Sequence, residues 1–227
     1  MLSEQAQTYL KRQNRDKNYY TDFEQTIEYL LLQNFDVPQV IYDIQENYGG
    51  YQLKVSGKRG AGFDIQIIAK RNIKNNIPLR HDEFEGNLYF SFGFHNTAQY
   101  TYYISSEGTI CTWGPETDGI VNPVSTSTEK YIENYALMDN IYQCGTVNNY
   151  YYHVPDIKNL RDYLGKHFKR LNYCSDKYTA WYQREGLYVN TGVWLGTPQF
   201  YLTCYNKGEK TVNDFLKSLA EKKLIDG

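Results

Sequence analysis

The sequence has no long apolar run, few cysteines and histidines, and no catalytic signature. Aliphatic stretches stop at three residues, as at Leu30–Leu32, whereas a membrane-spanning helix needs roughly 20 consecutive apolar residues. The opening MLSEQAQTYLKRQNRDK lacks the apolar core of a secretory signal, which points to a soluble, cytoplasmic protein. Cys111, Cys144, Cys174 and Cys204 are scattered without a C-x-x-C pair. That spacing excludes a zinc knuckle or a redox dithiol and predicts reduced thiols in or near the core. His81, His95, His153 and His167 form no H-x-x-x-H or H-E-x-x-H pair, so a helix-borne zinc site has no support. No Pro/Gly/Ser-rich linker and no internal repeat interrupts the chain.

The remaining fragments of chemistry are weak. His167 precedes Cys174, and His153 stands near Asp156, but neither spacing is diagnostic of a nucleophile and its base. Asp82, Glu83 and Glu85 cluster before a strand and read as a solvated loop rather than a metal site. Lys58-Arg59-Gly60-Ala61-Gly62 superficially resembles a phosphate loop, yet it lacks the Gly-Lys-Ser/Thr ending and leads into a strand. It reads as a hairpin turn. No G-x-S-x-G elbow occurs. The sequence therefore predicts no catalytic, cofactor-binding or metal-binding residues, and favours a binding protein over an enzyme.

Among the 227 residues, 41% are hydrophobic and 22% charged, the balance of an ordinary folded domain rather than of a disordered tail or a fibre. Tyrosine is the oddity, occurring 24 times against 10 phenylalanines and 3 tryptophans. Codon bias in an AT-rich genome explains it, and so does an aromatic recognition surface. The net charge of −2 hides a strong alternation along the chain. Residues 21–53 carry Asp22, Glu24, Glu28, Asp36, Asp43 and Glu46 and no base, and residues 81–157 carry Lys130 as their only base. The basic segments are 54–80 and 158–184. Either the segments neutralise one another in the fold, or an acidic face awaits a basic partner. Nucleic acid is not expected as the main ligand, nor is a membrane.

Residues 1–20 are polar, show no clear apolar stripe, and read as a loosely docked leader. Thr21 and Glu24 form a capping box opening a helix over 22–34, with Phe23, Ile27, Leu30 and Leu31 on its apolar stripe. Pro38 fits the first turn of a second helix carrying Val40, Ile41, Ile44 and Tyr48, which ends at Gly49-Gly50. The period then drops to two: 51–55, 63–67, 88–94, 100–104 and 109–113 read as strands joined by short turns. Thr126 and Glu129 cap a helix over about 128–142. A helix over 156–171, strands around 180–182, 186–194 and 199–204, and a last helix capped by Thr211 complete the chain. The fold class is α+β, an antiparallel or mixed sheet meander flanked by helices. Residues 21–227 read as a single domain, with the turn-like gap at 145–152 too short and too tyrosine-rich for a linker.

Two stretches carry a resemblance. Val37-Pro38-Gln39-Val40-Ile41-Tyr42-Asp43-Ile44-Gln45-Glu46-Asn47-Tyr48-Gly49-Gly50 is similar to the opening helix of the SUKH superfamily, relatives of the fungal Smi/Knr cell-wall regulators. Ile104-Ser105-Ser106-Glu107-Gly108-Thr109-Ile110, followed by Pro123-Val124-Ser125-Thr126-Ser127 and Glu129-Lys130-Tyr131-Ile132-Glu133, looks like the family's late hairpin and its Ser-containing entry into a helix. The resemblance spans residues 21–143, and the extension 144–227 lies outside it. It implies a SUKH-like α+β fold and, for many bacterial members, an immunity protein that neutralises a cognate toxin domain by protein–protein contact.

Acidic positions then become the candidates for binding a basic, nuclease-type toxin. They are Glu24, Glu28, Asp43 and Glu46 on the opening helices, with Glu116 and Asp118 in a turn-rich loop beside Trp113. The alternatives from other classes are a carbohydrate- or peptide-binding module using Tyr and Trp as platforms, and an enzyme with an unrecognised site. The sequence leaves the oligomeric state open.

Overall fold

The computed structural model describes residues 1–57, 62–144, 150–206 and 209–226. The expected hairpin turn at 58–62 falls largely, and the gap at 145–152 mostly, outside the described residues. The chain is α+β. It runs α1 (Glu4–Arg12), β1 (Asn14–Arg15), α2 (Phe23–Leu31), α3 (Gln39–Tyr48), β2 (Tyr51–Lys54), β3 (Gly62–Ile65), α4 (Lys70–Lys74), β4 (His81–Phe84), β5 (Asn87–His95), β6 (Thr101–Ser105), β7 (Ile110–Thr112), β8 (Asn122–Ser125) and α5 (Thr128–Gln143). The second half adds β9 (Tyr152–Val154), α6 (Ile157–His167), β10 (Lys169–Arg170), β11 (Ala180–Arg184), β12 (Leu187–Val193), β13 (Phe200–Tyr205) and α7 (Glu209–Glu221). An eight-stranded sheet has the order β1-β2-β3-β5-β6-β7-β8, with β4 also paired to β5; a five-stranded sheet has the order β10-β11-β12-β13-β9. Every pairing among the described residues is antiparallel. No helix among them is long and apolar enough to cross a membrane.

Alternation along the strands gives the large sheet two faces. Its inner face carries Phe63, Phe90, Phe92, Tyr102 and Ile104, all buried. Phe63 packs on Phe92 and Tyr102 at ring-centroid distances of 5.3 and 4.9 Å and on Tyr131 of α5 at 5.1 Å. Ile41 and Ile44 of α3 join the same cluster, which reaches across to Trp181 and Tyr205 of the small sheet. A second cluster lies between the small sheet, α6 and α7, through Leu160, Leu164, Val189, Leu202, Phe215 and Leu219.

The expected polar leader is instead an anchored helix. Ala6, Tyr9 and Leu10 of α1 recur at helical spacing and are buried. Polar contacts hold the rest. The Ser3 amide and hydroxyl donate to the buried carboxylate of Glu133, Tyr9 Oη donates to the Lys54 carbonyl at 3.1 Å, and Arg12 pairs with buried Asp139 at 3.0 Å. Three apolar residues do not make a legible stripe; the partners that order this segment lie far away on α5.

Both capping boxes shift by one residue. Asp22, not Thr21, caps α2 by accepting from Gln25 N, while Thr21 is buried against Thr26 and Gln45. Ser127, not Thr126, caps α5, and Thr126 donates through its amide and hydroxyl to Asp176 across the junction between the halves. Pro38 sits at the N-cap of α3 rather than inside its first turn. The stripe on α2 also differs: Thr26, Tyr29 and Leu30 are buried, while Phe23 and Leu31 stay 46% and 72% exposed. Gly50, at φ 84°, ends α3 as expected, and a Cβ there would lie 2.6 Å from the Asp16 carbonyl oxygen. The helix expected over 156–171 is α6, capped by Asp156 and stopped at His167 where Phe168 turns extended. The last helix starts at Glu209, ahead of its expected cap Thr211.

Candidate functional site: a ring patch with an acidic rim

Asp82, Glu83 and Glu85 do not form a loop cluster. Residues 81–84 are strand β4, and the pleat sends Asp82 and Glu83 to opposite faces. Glu85 and Gly86 link β4 to β5 with φ of 50° and 76°, the positive values a two-residue hairpin turn requires at both central positions. That tight turn fixes the register Phe84↔Asn87 and Asp82↔Tyr89, which puts Asp82, Phe84 and Tyr89 together on the outer face of the large sheet. Tyr103 of β6 joins them from the positions between Tyr102 and Ile104, whose rings and branches point inward.

Trp113, directly after β7, closes over this face. Its ring lies 5.5 Å from Phe84, 5.7 Å from Tyr89 and 5.4 Å from Tyr103, centroid to centroid. These tilted and edge-on contacts are the favoured aromatic geometries. Tyr103 is buried at the base of the patch, and Phe84, Tyr89 and Trp113 are half-buried. Trp113 is therefore on the face opposite the main core. Its Nε1–H donates to the Gly119 carbonyl at 3.1 Å, tying the indole to loop 114–119. Inside that loop, buried Thr117 donates to the Ile120 carbonyl at 2.6 Å and accepts from Gly114 N at 3.2 Å. Gly114, Asp118 and Gly119 all adopt positive φ. With Thr117 as its pin, the loop turns Glu116 and Asp118 out to solvent.

The rim is mostly acidic. Besides Glu116 and Asp118 it includes Asp82, whose carboxylate meets the Tyr103 phenol together with Arg80, and Glu85 and Glu107 near Tyr89. Burial, more than these charges, pushes both phenols above their ordinary pKa, so the rings stay neutral donors and acceptors.

The other sequence-derived candidates lie elsewhere. Phe35, between α2 and α3, stacks on inner-face Phe90 at 6.0 Å, so α3 covers the inner side of the sheet. Its exposed acids Asp43 and Glu46 are thus separated from Trp113 by the sheet itself. Glu24 and Glu28 are exposed on α2, beside Phe23 and Leu31. Of the seven candidates, the structure gathers Trp113, Glu116 and Asp118 into one site. Phe84, Tyr89 and Tyr103 belong to that site and were missed. The available signal was aromatic residues at both parities of one strand, Tyr89 beside Phe90, which means that both faces of the sheet are apolar.

No group of three His, Cys, Asp or Glu side chains is placed to hold a metal ion among the described residues. Burial pushes the Cys174 thiol up to about 12, and His167 stacks on Tyr163 at 4.5 Å. Cys111, Cys174 and Cys204 are buried free thiols, and Cys144 is exposed. No family model, curated protein or solved structure matches the chain.

Proposed function

We propose that this chain is a toxin-neutralising immunity protein of SUKH type, acting in the cytoplasm, and that it docks a basic toxin domain on the ring patch around Trp113. The observation that carries the reading is the composition of that patch: four packed aromatic rings surrounded by Asp82, Glu85, Glu107, Glu116 and Asp118. Aromatic anchors at the centre of an interface supply most of its binding energy and slow dissociation. Acids at the rim draw a basic partner in and accelerate association. The same acids repel phosphates, which argues against nucleic acid at this face. The order α2, α3, sheet meander, α5 supports the SUKH resemblance over residues 21–143. Inhibition by occlusion requires no catalytic group in the inhibitor.

The test is growth rescue. The gene immediately upstream should encode a toxin, and co-expression of this chain should restore growth of cells producing it. Trp113→Ala should abolish rescue while the protein stays folded, because a truncated central aromatic anchor costs about 2 kcal/mol or more of binding. Full rescue by Trp113→Ala would remove this face from the interface and make Glu24→Lys/Glu28→Lys on α2 the next variant to examine.

A further inference from the structure

The two sheets do not close completely on each other. Between them lies a cavity of about 340 Å³, far larger than a water-sized void and at the small end of ligand-pocket volumes. Its floor is buried: Tyr102, Tyr135, Trp181 and Asn190. Its rim carries Tyr151, 45% exposed, and half-buried Trp194. Tyr151, Trp194 and Tyr201 pack mutually, with ring centroids 5.0 to 5.6 Å apart.

The cavity is built rather than left over. Asn122 of β8 donates to the Trp194 and Leu195 carbonyls at 2.6 and 3.2 Å, and Thr112 donates to the Leu195 carbonyl at 2.6 Å. These bonds hold the Trp194 strand end against the large sheet. On the opposite wall the Trp181 indole donates to Asn134 of α5. Gly192 lets Tyr201 lie flat across β12, since a Cβ at that position would come within 2.4 Å of the phenol oxygen.

We infer that this inter-sheet cavity binds an uncharged ring-shaped small molecule bearing hydroxyl or amide groups, the chemistry shared by a nucleoside and a pyranoside. Among the described residues no Asp, Glu, Lys or Arg lines it. A carboxylate, phosphate or ammonium group would lose most of its hydration there, with the His95 imidazole as the one basic side chain among the described lining residues, which favours an uncharged ligand. Trp194, Tyr201 and Tyr151 at the mouth offer ring surface for stacking a flat ring. Half-buried Thr179 and Asn134, with Asn190 on the floor, bring neutral hydroxyl and amide groups to the same space, the few polar groups that orient a ligand in an otherwise apolar pocket. The Tyr102, Tyr131 and Tyr135 phenols hydrogen-bond in series, and burial raises the pKa of each, so this wall also stays uncharged. The site is independent of the ring patch around Trp113.

The full-length protein is titrated with adenosine and, separately, with methyl β-D-glucopyranoside, reading tryptophan fluorescence and the thermal midpoint. Saturable binding of one probe, insensitive to salt, is expected, and which probe binds distinguishes the two sources. Trp194→Ala should weaken that binding at least tenfold, and Trp113→Ala should leave it unchanged. Should Trp194→Ala not fold, Met138→Trp, which fills the cavity from α5, is the second variant. Failure of both probes to bind at millimolar concentration overturns the inference, as does wild-type affinity in the folded Trp194→Ala or Met138→Trp protein.

Discussion

Tyrosine accounts for 24 residues, and the position of each ring determines how the molecule responds to alkali. Burial raises Tyr29 from 10.0 to about 12, and Tyr9, Tyr102, Tyr135 and Tyr205 shift upward for the same reason. Cys111 and Cys174 move from 9.0 to about 12. For a group that is neutral when buried, the unfolded chain loses its proton first as pH rises. Stability from these groups is therefore fully present below about pH 9 and falls as pH climbs from 9 towards 12. An alkaline titration should show the buried phenols ionising together with loss of helix circular dichroism rather than ahead of it. Ionisation of all the tyrosines near pH 10 without unfolding would contradict the burial described. Trp113 illustrates the other use of rings. Its partners Phe84, Tyr89 and Tyr103 are contributed by different strands, so no local sequence pattern marks it as a surface residue.

At the scale of elements, the sequence reads well wherever a period repeats within one segment. The strands from β2 to β7, apart from β4, the helices α3, α5 and α6, and the glycine stop of α3 were all legible. What escaped was set from outside the segment. Helix α1 has only Ala6, Tyr9 and Leu10 to bury, and its order depends on Glu133 and Asp139, more than a hundred residues away. Strand β4 reads as acidic loop because its alternation is acid against acid, and only pairing with β5 reveals it. The caps of α2 and α5 moved because Thr21 and Thr126 were taken up by tertiary partners. Arg12→Ala should thus destabilise the protein by roughly 1–3 kcal/mol, since buried Asp139 would keep Ser56 N and Gln143 as its donors among the described residues. Chemical denaturation measures it. A loss below about 0.5 kcal/mol, the usual effect of a surface substitution, would mean that α1 is only loosely docked.

At the scale of the whole molecule, the α+β class and the uneven charge were readable, but the charge map alone could not say which acids share a face. Folding places Asp43 and Glu46 on one side of the large sheet and Glu116 and Asp118 on the other, and it is the aromatic cluster that singles out the second side for the proposed docking. The inter-sheet cavity was invisible for the same reason: its walls come from both halves of the chain. The most direct measurement of the docking claim is the association rate between this protein and the toxin domain encoded upstream, taken as a function of ionic strength for wild type and for Glu116→Lys/Asp118→Lys. The double variant should associate at least tenfold more slowly at low salt, with a flattened salt dependence and a thermal stability within about 0.5 kcal/mol of wild type. An unchanged rate and salt dependence in the folded variant, or no binding by the wild type, would contradict it.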